Sequence, residues 1–171
     1  MKNQKAAPIE KLILEDHKPL KKLIKKMKDE KSSISEKKAA FDEFAPLLIV
    51  HAKAEEKALY TYLKDEEDLR EEGFEGQVEH NLADEMVKKA KSSTDKDLKA
   101  AEIKVLAELV EHHIKEEEED MLPDFKKKTP SEVRIEIGGH YLELKNKLAN
   151  EVPSLGRKVE YERDEDQSAP H

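Results

Sequence analysis

Between Ile103 and Met121 the sequence reads IKVLAELVEHHIKEEEEDM, and this stretch decides the fold. Its apolar residues recur at steps of three and four, which is the period of one face of an α-helix. The same face continues through His113 to Glu117, which is four residues and about one helical turn further on. The pattern therefore predicts a helix that carries a histidine and a carboxylate into the interior of the protein.

Three further segments show the same kind of face. Each has a histidine at an apolar position, namely His17, His51 and His80, and Glu55 follows His51 by four residues. Taken singly, His17 and His80 are typical of satisfied core residues. The pairs His51 with Glu55 and His113 with Glu117 are each compatible with a hydrogen-bonded surface couple. Their joint occurrence, with one histidine on each stripe, favours a common site.

The composition of the 171-residue chain is typical of a single domain built from long helices. Charged residues make up 42% and hydrophobic residues 36%, with five glycines and no tryptophan, which argues against a turn-rich sandwich or barrel. The chain has no cysteine. This excludes disulfides, thiolate zinc sites, iron–sulfur clusters and a cysteine nucleophile.

Charge and hydropathy exclude further classes of function. A net charge of -8 argues against nucleic-acid binding, which needs a basic surface. No apolar run approaches the roughly 18 residues of a membrane span. The first sixteen residues are charged and lack the apolar region of a signal peptide. We therefore expect a soluble, cytoplasmic protein without a membrane partner.

The helix start and stop signals predict an all-α fold, an up-down four-helix bundle with an additional C-terminal helix. Capping boxes are predicted at Ser33 with Glu36 and at Thr129 with Glu132, and the fourth helix should stop before Pro123. Residues 65–73 are predicted to be a loop or a frayed end, and the two glycines, 138–139, are a candidate break in the last helix. The predicted helices are 8–28, 34–64, 75–91, 96–121 and about 130–150. The helical domain would span 1–150, and the polar segment 151–171 is predicted to be a disordered tail.

Two glutamates and four histidines that face one interior need an explanation, because buried charges are usually paired or bound to metal. Imidazole nitrogens and carboxylate oxygens suit iron, manganese or zinc. Six ligands exceed the four of a tetrahedral zinc site, so a dinuclear metal centre is favoured. Ferritin-like sites place glutamate three residues before histidine, and no histidine here has that neighbour. The zinc-protease motif HExxH is absent as well.

The order of these motifs resembles the hemerythrin-like, or HHE cation-binding, domain. The resemblance covers residues 9–125 and ends on a Met-Leu-Pro sequence at 121–123, so the fifth helix and the tail lie outside it. The matching pieces are Glu15-Asp16-His17, His51-Ala52-Lys53-Ala54-Glu55-Glu56, Glu79-His80 and His113-Ile114-Lys115-Glu116-Glu117-Glu118.

The resemblance implies a non-haem di-iron centre with two iron ions, bridged by the carboxylates of Glu55 and Glu117. The implied ligands are His17, His51, Glu55, His80, His113 and Glu117. His112 competes with His113, because it shares another stripe with Glu116, but the register of the family favours His113. Tyr60 and Tyr62 are interpreted as packing residues, and His140 and His171 are left unassigned.

One departure from the oxygen-carrying members bears on function. In those proteins the third helix resembles the pattern His-x-x-x-His. In this chain the residue four positions after His80 is Asp84. The resemblance therefore implies the broader group, and we expect a di-iron protein that binds or senses O2 or a related small molecule such as NO or peroxide. The alternatives are an enzyme with peroxidase, catalase-like or NO-reducing activity, a role in iron storage or repair, and a metal-free interaction bundle. A homodimer or a signalling partner is left open.

Overall fold

Helices make up almost all of the described chain. The computed structural model describes residues 6–152, and within that range it contains helices and no strands. The α-helices are α1 (Ile9–Lys28), α2 (Ile34–Glu55), α3 (Thr61–Asp65), α4 (Arg70–Ser92), α5 (Lys96–Glu116), α6 (Leu122–Lys128) and α7 (Ser131–Glu151). A π-helical turn, Glu56–Tyr60, joins α2 to α3, and a second one, Glu117–Met121, joins α5 to α6. Most of the predicted tail lies outside the described residues.

The predicted helix starts are confirmed where a side chain caps the backbone. At the start of α2, Ser33 accepts a hydrogen bond from the Glu36 amide, and the Glu36 carboxylate accepts one from the Ser33 amide at 2.7 Å. At the start of α5, Asp95 accepts one from the Leu98 amide at 2.9 Å. These bonds satisfy amides that have no partner within the helix itself.

The prediction of a loop or frayed end over 65–73 was wrong over its last residues. A short 3₁₀ turn, Glu67–Leu69, leads directly into α4, so Gly73 lies inside the helix. A Cβ at Gly73 would lie 2.9 Å from the Cβ of Leu63. This glycine therefore permits α3 and α4 to pack closely and does not end a helix.

The prediction that the fourth helix stops before Pro123 was also wrong. The chain continues through the π-helical turn into α6, and the amide of Leu122 bonds to the carbonyl of Glu117, five residues back. Pro123 then lies in the first turn of α6. Proline is tolerated there because its missing N–H would have no partner within the new α-helical segment.

Two predictions for the last helix were wrong as well. The capping box at Thr129 and Glu132 does not form, and the Thr129 hydroxyl is buried without a hydrogen-bond partner. The helix α7 runs unbroken through Gly138 and Gly139. A Cβ at Gly138 would lie 2.0 Å from the carbonyl oxygen of Ala7, so this glycine serves close packing against the chain before α1.

The core consists of two apolar clusters with a polar layer between them. One cluster includes Leu20, Phe44 and Leu106, and the other includes Ile13 and Leu59. Helix α1 packs against α2 and α5, α4 packs against α5 and α3, and α7 packs against α1 and α2. On the stripes of α1, α2 and α5, with their helical continuations, the histidine lies between residues of one cluster and residues of the other. No described helix has the length and apolarity of a membrane span.

Candidate metal centre

The structure brings all six predicted site residues together in the polar layer. Each is buried, with at most 6% of its surface exposed. Their ligand atoms form two groups, and within each group the atoms lie within 4.8 Å of one another. The first group is Glu55, His80, His113 and Glu117, and the second is His17, His51 and Glu117. Glu117 belongs to both groups, as a carboxylate between two metal positions would.

Every histidine of the site is held through its Nδ1 atom. The partners are Glu118 for His17 at 2.9 Å, Tyr141 for His51 at 2.8 Å, Glu56 for His80 at 3.2 Å and Glu79 for His113 at 3.1 Å. A partner on Nδ1 fixes the ring and directs Nε2 toward the interior, which is how metal-binding histidines are usually oriented. None of these partners was predicted from the sequence, although Glu56, Glu79 and Glu118 each directly follow or precede a predicted ligand.

The Nε2 atoms face the two buried carboxylates. Nε2 of His17 lies 3.2 Å from Oε2 of Glu117, and Nε2 of His113 lies 3.1 Å from Oε1 of the same residue. Oε2 of Glu55 lies 3.4 Å from Nε2 of His51 and 3.5 Å from Nε2 of His80. A single oxygen of Glu55 is therefore placed between histidines of the two groups.

Several of these interior atoms have no hydrogen-bond partner among the described residues. They are both oxygens of Glu55, Oε2 of Glu117 and Nε2 of His17. Burial and the neighbouring Glu117 carboxylate raise the pKa of Glu55 well above its ordinary value. Burial also opposes the charge of Glu117, but His113 and His17 outweigh it and lower its pKa well below the usual range. Buried polar atoms without partners cost free energy, and cations coordinated by these nitrogen and oxygen atoms would remove that cost. The residues present therefore fit a metal centre.

A comparison with protein families identifies the class of domain. The model of the hemerythrin HHE cation-binding domain matches residues 9–125. The chain belongs to the hemerythrin HHE cation-binding family. No curated protein and no solved structure gave a match to it.

Helix α7 lies outside the segment that matches the hemerythrin family, yet it contributes to the site. The Tyr141 hydroxyl donates to Asp16, so it accepts a hydrogen bond from Nδ1–H of His51. Lys145 donates to the other oxygen of Asp16 at 2.5 Å. Burial opposes the charge of Asp16, but His51 and Lys145 outweigh it and lower the pKa of this carboxyl. Burial lowers the pKa of His51 to about 4, so its ring is neutral at pH 7 and its Nε2 carries a lone pair.

The two histidines of the other group differ in charge. Burial lowers the pKa of His80, although Glu56 opposes this effect. The pKa of Glu56 falls to about 2, because the hydrogen bond from His80 and the charge of Lys53 outweigh its partial burial. Burial also disfavours the charge of His113, but Glu117 and Glu79 outweigh it and raise the pKa well above its ordinary value. In the metal-free protein His113 and Glu117 therefore form a buried ion pair.

Tyr60 belongs to the site, and its interpretation as a packing residue was wrong. Its hydroxyl donates to Oε1 of Glu117 at 2.5 Å and lies 3.3 Å from Nε2 of both His80 and His113. In a regular α-helix, a residue five positions after Glu55 points to another side. The π-helical turn from Glu56 to Tyr60 is wider, and it brings Tyr60 onto the interior face.

The remaining predicted or rival residues lie outside the polar layer. The side chain of His112 is 64% exposed and pairs with Glu116 at 3.1 Å, so His113 and not His112 faces the interior. Asp84 pairs with Lys88 at 2.7 Å. The ring of Tyr62 packs against Phe125, with 6.0 Å between the ring centroids, which agrees with its predicted packing role. His140 is exposed.

Proposed function

We propose that this protein binds a non-haem di-iron centre that binds or senses O2 or a related small molecule such as NO or peroxide. The observation that carries the proposal is the Glu55 carboxylate, which is fully buried without a hydrogen-bond partner and lies against histidines of both groups. His17 and His51 would hold one iron, and His80 and His113 would hold the other. Glu55 and Glu117 would be shared by both ions.

When bound, ferrous iron would supply open coordination positions and electrons for chemistry with O2, NO or peroxide. The chain itself provides a protected surrounding for that chemistry. The two apolar clusters exclude water from above and below the polar layer. A cavity of about 20 Å³, lined by Leu48, Ala83, Val87 and Val110, reaches His80 and His113. Its small size and apolar walls favour a diatomic ligand over an organic substrate.

We further interpret α1, α2 with α3, α4 and α5 with α6 as the four members of an up-down bundle, to which α7 is added. The helical domain would span residues 1–150, and the chain would act in the cytoplasm. A sensor of this kind would pass its signal to a partner or to a second copy of the chain.

Metal content tests the proposal directly. After anaerobic reconstitution with ferrous iron, we expect plasma mass spectrometry to find two irons per chain, one for each group of ligands. The double variant His51→Ala with Glu55→Ala should bind none, whereas His140→Ala, at an exposed position, should bind as the parent does. Iron should also raise the melting temperature of the parent, because only the folded state binds it. Full iron in the double variant would refute the site, and a melting temperature indifferent to chelators would favour a metal-free bundle.

One observation favours the alternative of a di-iron enzyme. The Tyr60 hydroxyl lies within the site, and burial together with Glu117 and Glu55 raises its pKa well above the ordinary value. It therefore stays protonated and holds a proton next to the position where a peroxide would be reduced. Turnover of hydrogen peroxide by the reconstituted protein would support the enzyme, and reversible O2 binding without turnover would support the binding protein.

Tyr141→Phe should weaken metal binding while it leaves the ring in place. The change removes the hydroxyl that orients His51, and loss of such a partner typically lowers metal affinity about 10- to 100-fold. Because Nδ1 of His51 also lies 3.4 Å from Asp16, we expect the lower end of that range. Competition with a chelator measures the affinity, and Tyr62→Phe is the matched control. Equal affinity in both variants would show that α7 does not tune the site.

A further inference from the structure

An acidic cleft leads from the surface to the polar layer between α4 and the end of α5. It has a volume of about 180 Å³, and its floor is formed by Tyr60, His113 and Glu117. Its walls carry the carboxylates of Glu72, Glu75, Glu79, Glu116 and Asp120. Within the described chain, no lysine or arginine lines it. A cleft lined by one sign of charge concentrates ions of the opposite sign.

Two residues of the cleft wall and a neighbouring histidine outside its lining are close enough to hold a cation. The ligand atoms of Glu79, His112 and Glu116 lie within 4.8 Å of one another. His112 is mostly exposed, and Glu79 and Glu116 are half-buried, so the group is accessible from water. We call these three residues the outer trio. One imidazole and two carboxylates are donors that ferrous, manganous and zinc ions accept.

The outer trio connects to the buried site through Glu79. Oε1 of Glu79 accepts a hydrogen bond from Nδ1 of His113 at 3.1 Å, and His113 faces Glu117 through its other nitrogen. A cation at the outer trio would therefore lie one side chain away from the interior ligands. The remaining carboxylates of the cleft would keep the electrostatic potential around this cation negative.

At the floor of the cleft, the Glu117 carboxylate has an atom without a partner. Its Oε2 is buried and makes no hydrogen bond within the described residues, and it lies 3.2 Å from Nε2 of His17, on the side of the buried centre. A buried, negatively charged oxygen at the end of an acidic passage points to a cation as the missing partner. This oxygen faces His17, so it identifies the buried centre as the end of the path.

The titration of Glu72 shows how strongly negative charge is crowded here. Partial burial and the nearby carboxylates of Asp124, Glu75 and Asp120 raise its pKa, and Lys128 acts against them. Lys128 itself pairs with Asp124 at 2.5 Å. A cation in the cleft would reduce the repulsion between these carboxylates. The cleft therefore attracts divalent ions without requiring one exact arrangement of ligands.

We propose that this cleft is the entry path for the divalent cations that fill the buried centre, and that the outer trio is the first site at which they bind. The proposal rests on the proposed function, because it needs a metal centre at the end of the path. The outer trio binds a hydrated ion near the surface and passes it to Glu117 and His113. Its exposure makes it the weaker site, so the ion moves inward.

The rate of iron loading tests the proposal. The variant His112→Ala with Glu116→Gln removes two members of the outer trio and no residue of the buried site. The matched control, Glu136→Gln with His140→Ala, makes the same two changes on exposed residues of α7, also four positions apart. Metal-free protein is mixed anaerobically with ferrous ions, quenched with excess chelator at set times, and analysed for retained iron by plasma mass spectrometry.

We expect the cleft variant to load about 10-fold more slowly than the parent, at the lower end of what electrostatic focusing contributes to association rates. Its final iron content should equal that of the parent, and the control variant should match the parent in both respects. Raised salt should slow the parent more than the cleft variant, because salt screens exposed charges.

Each other outcome overturns the proposal in a recognisable way. Loading of the cleft variant at the parental rate would refute the entry path while the metal centre itself stands. A lower final iron content in the cleft variant would make the outer trio part of a stable binding site and not of a path. Failure of the parent to retain any iron would overturn the proposed function together with the path.

Discussion

The variant Glu55→Met is expected to be more stable than the parent when both are free of metal, and to bind no iron. Glu55 is fully buried, and neither of its oxygens makes a hydrogen bond within the described chain. Its raised pKa has the same origin, since burial and the Glu117 carboxylate both disfavour its charge. A residue with these properties costs stability in the metal-free fold, and the cost is recovered when a cation binds.

The size of the effect follows from the behaviour of buried polar groups, because a buried polar group without a hydrogen bond typically costs about 1–3 kcal/mol. Methionine has the length of glutamate and adapts to irregular space, so we expect little strain. The free energy of unfolding should therefore rise by about 1–3 kcal/mol in chelator-treated protein. In the presence of iron the order should reverse, because only the parent gains binding free energy.

Denaturant unfolding with and without ferrous iron measures both parts of this prediction. Glu108→Met, on the exposed surface of α5, is the control, and its stability should change by less than about 0.5 kcal/mol. If Glu55 were a structural residue whose contacts hold the helices together, Glu55→Met would unfold more easily than the parent under metal-free conditions. That result would remove the main support for the metal centre.

Two neighbouring glycines of α7 should respond to the same substitution with opposite signs. A Cβ at Gly138 would lie 2.0 Å from the carbonyl oxygen of Ala7 and 3.1 Å from the amide nitrogen of Ile9. Backbone atoms cannot rotate away as a side chain can, so Gly138→Ala must displace α7 or the start of α1. We expect a loss of about 1–3 kcal/mol, as for other overpacked sites.

Gly139→Ala provides the internal control for this substitution. No atom outside the helix lies within 4 Å of a Cβ at Gly139, and alanine is about 1 kcal/mol more favourable than glycine inside a helix. Thermal unfolding of the two variants should therefore move the melting temperature in opposite directions. Equal effects would mean that α7 does not pack against the chain before α1 as closely as the structure shows.

The displacement of α7 by Gly138→Ala should also alter the metal centre, because α7 carries Tyr141. We expect Gly138→Ala to weaken iron binding in the direction of Tyr141→Phe, whereas Gly139→Ala should leave it unchanged. Chelator competition on all three variants would test this link between packing and metal affinity.

The sequence alone determined which residues face the interior. His113 and Glu117 lie one helical turn apart on an apolar stripe, as His51 and Glu55 do, and helix geometry places such pairs on one face whatever the rest of the chain does. The helix start at Ser33 was predictable because its cap depends on residues three positions apart, although the same spacing at Thr129 and Glu132 formed no cap. These signals are local, and the family resemblance over 9–125 rests on them.

Only the tertiary structure decided what holds the site in place. The Nδ1 partner of His17 lies 101 residues away in the sequence, and that of His51 lies 90 residues away on α7. The position of Tyr60 depends on a π-helical turn, and that of α7 on the space left by Gly138. Periodicity determines the direction of a side chain around its own helix, but not which other helix that side chain meets. That choice is made by the packing of the whole chain, in which each close approach depends on residues far apart in sequence.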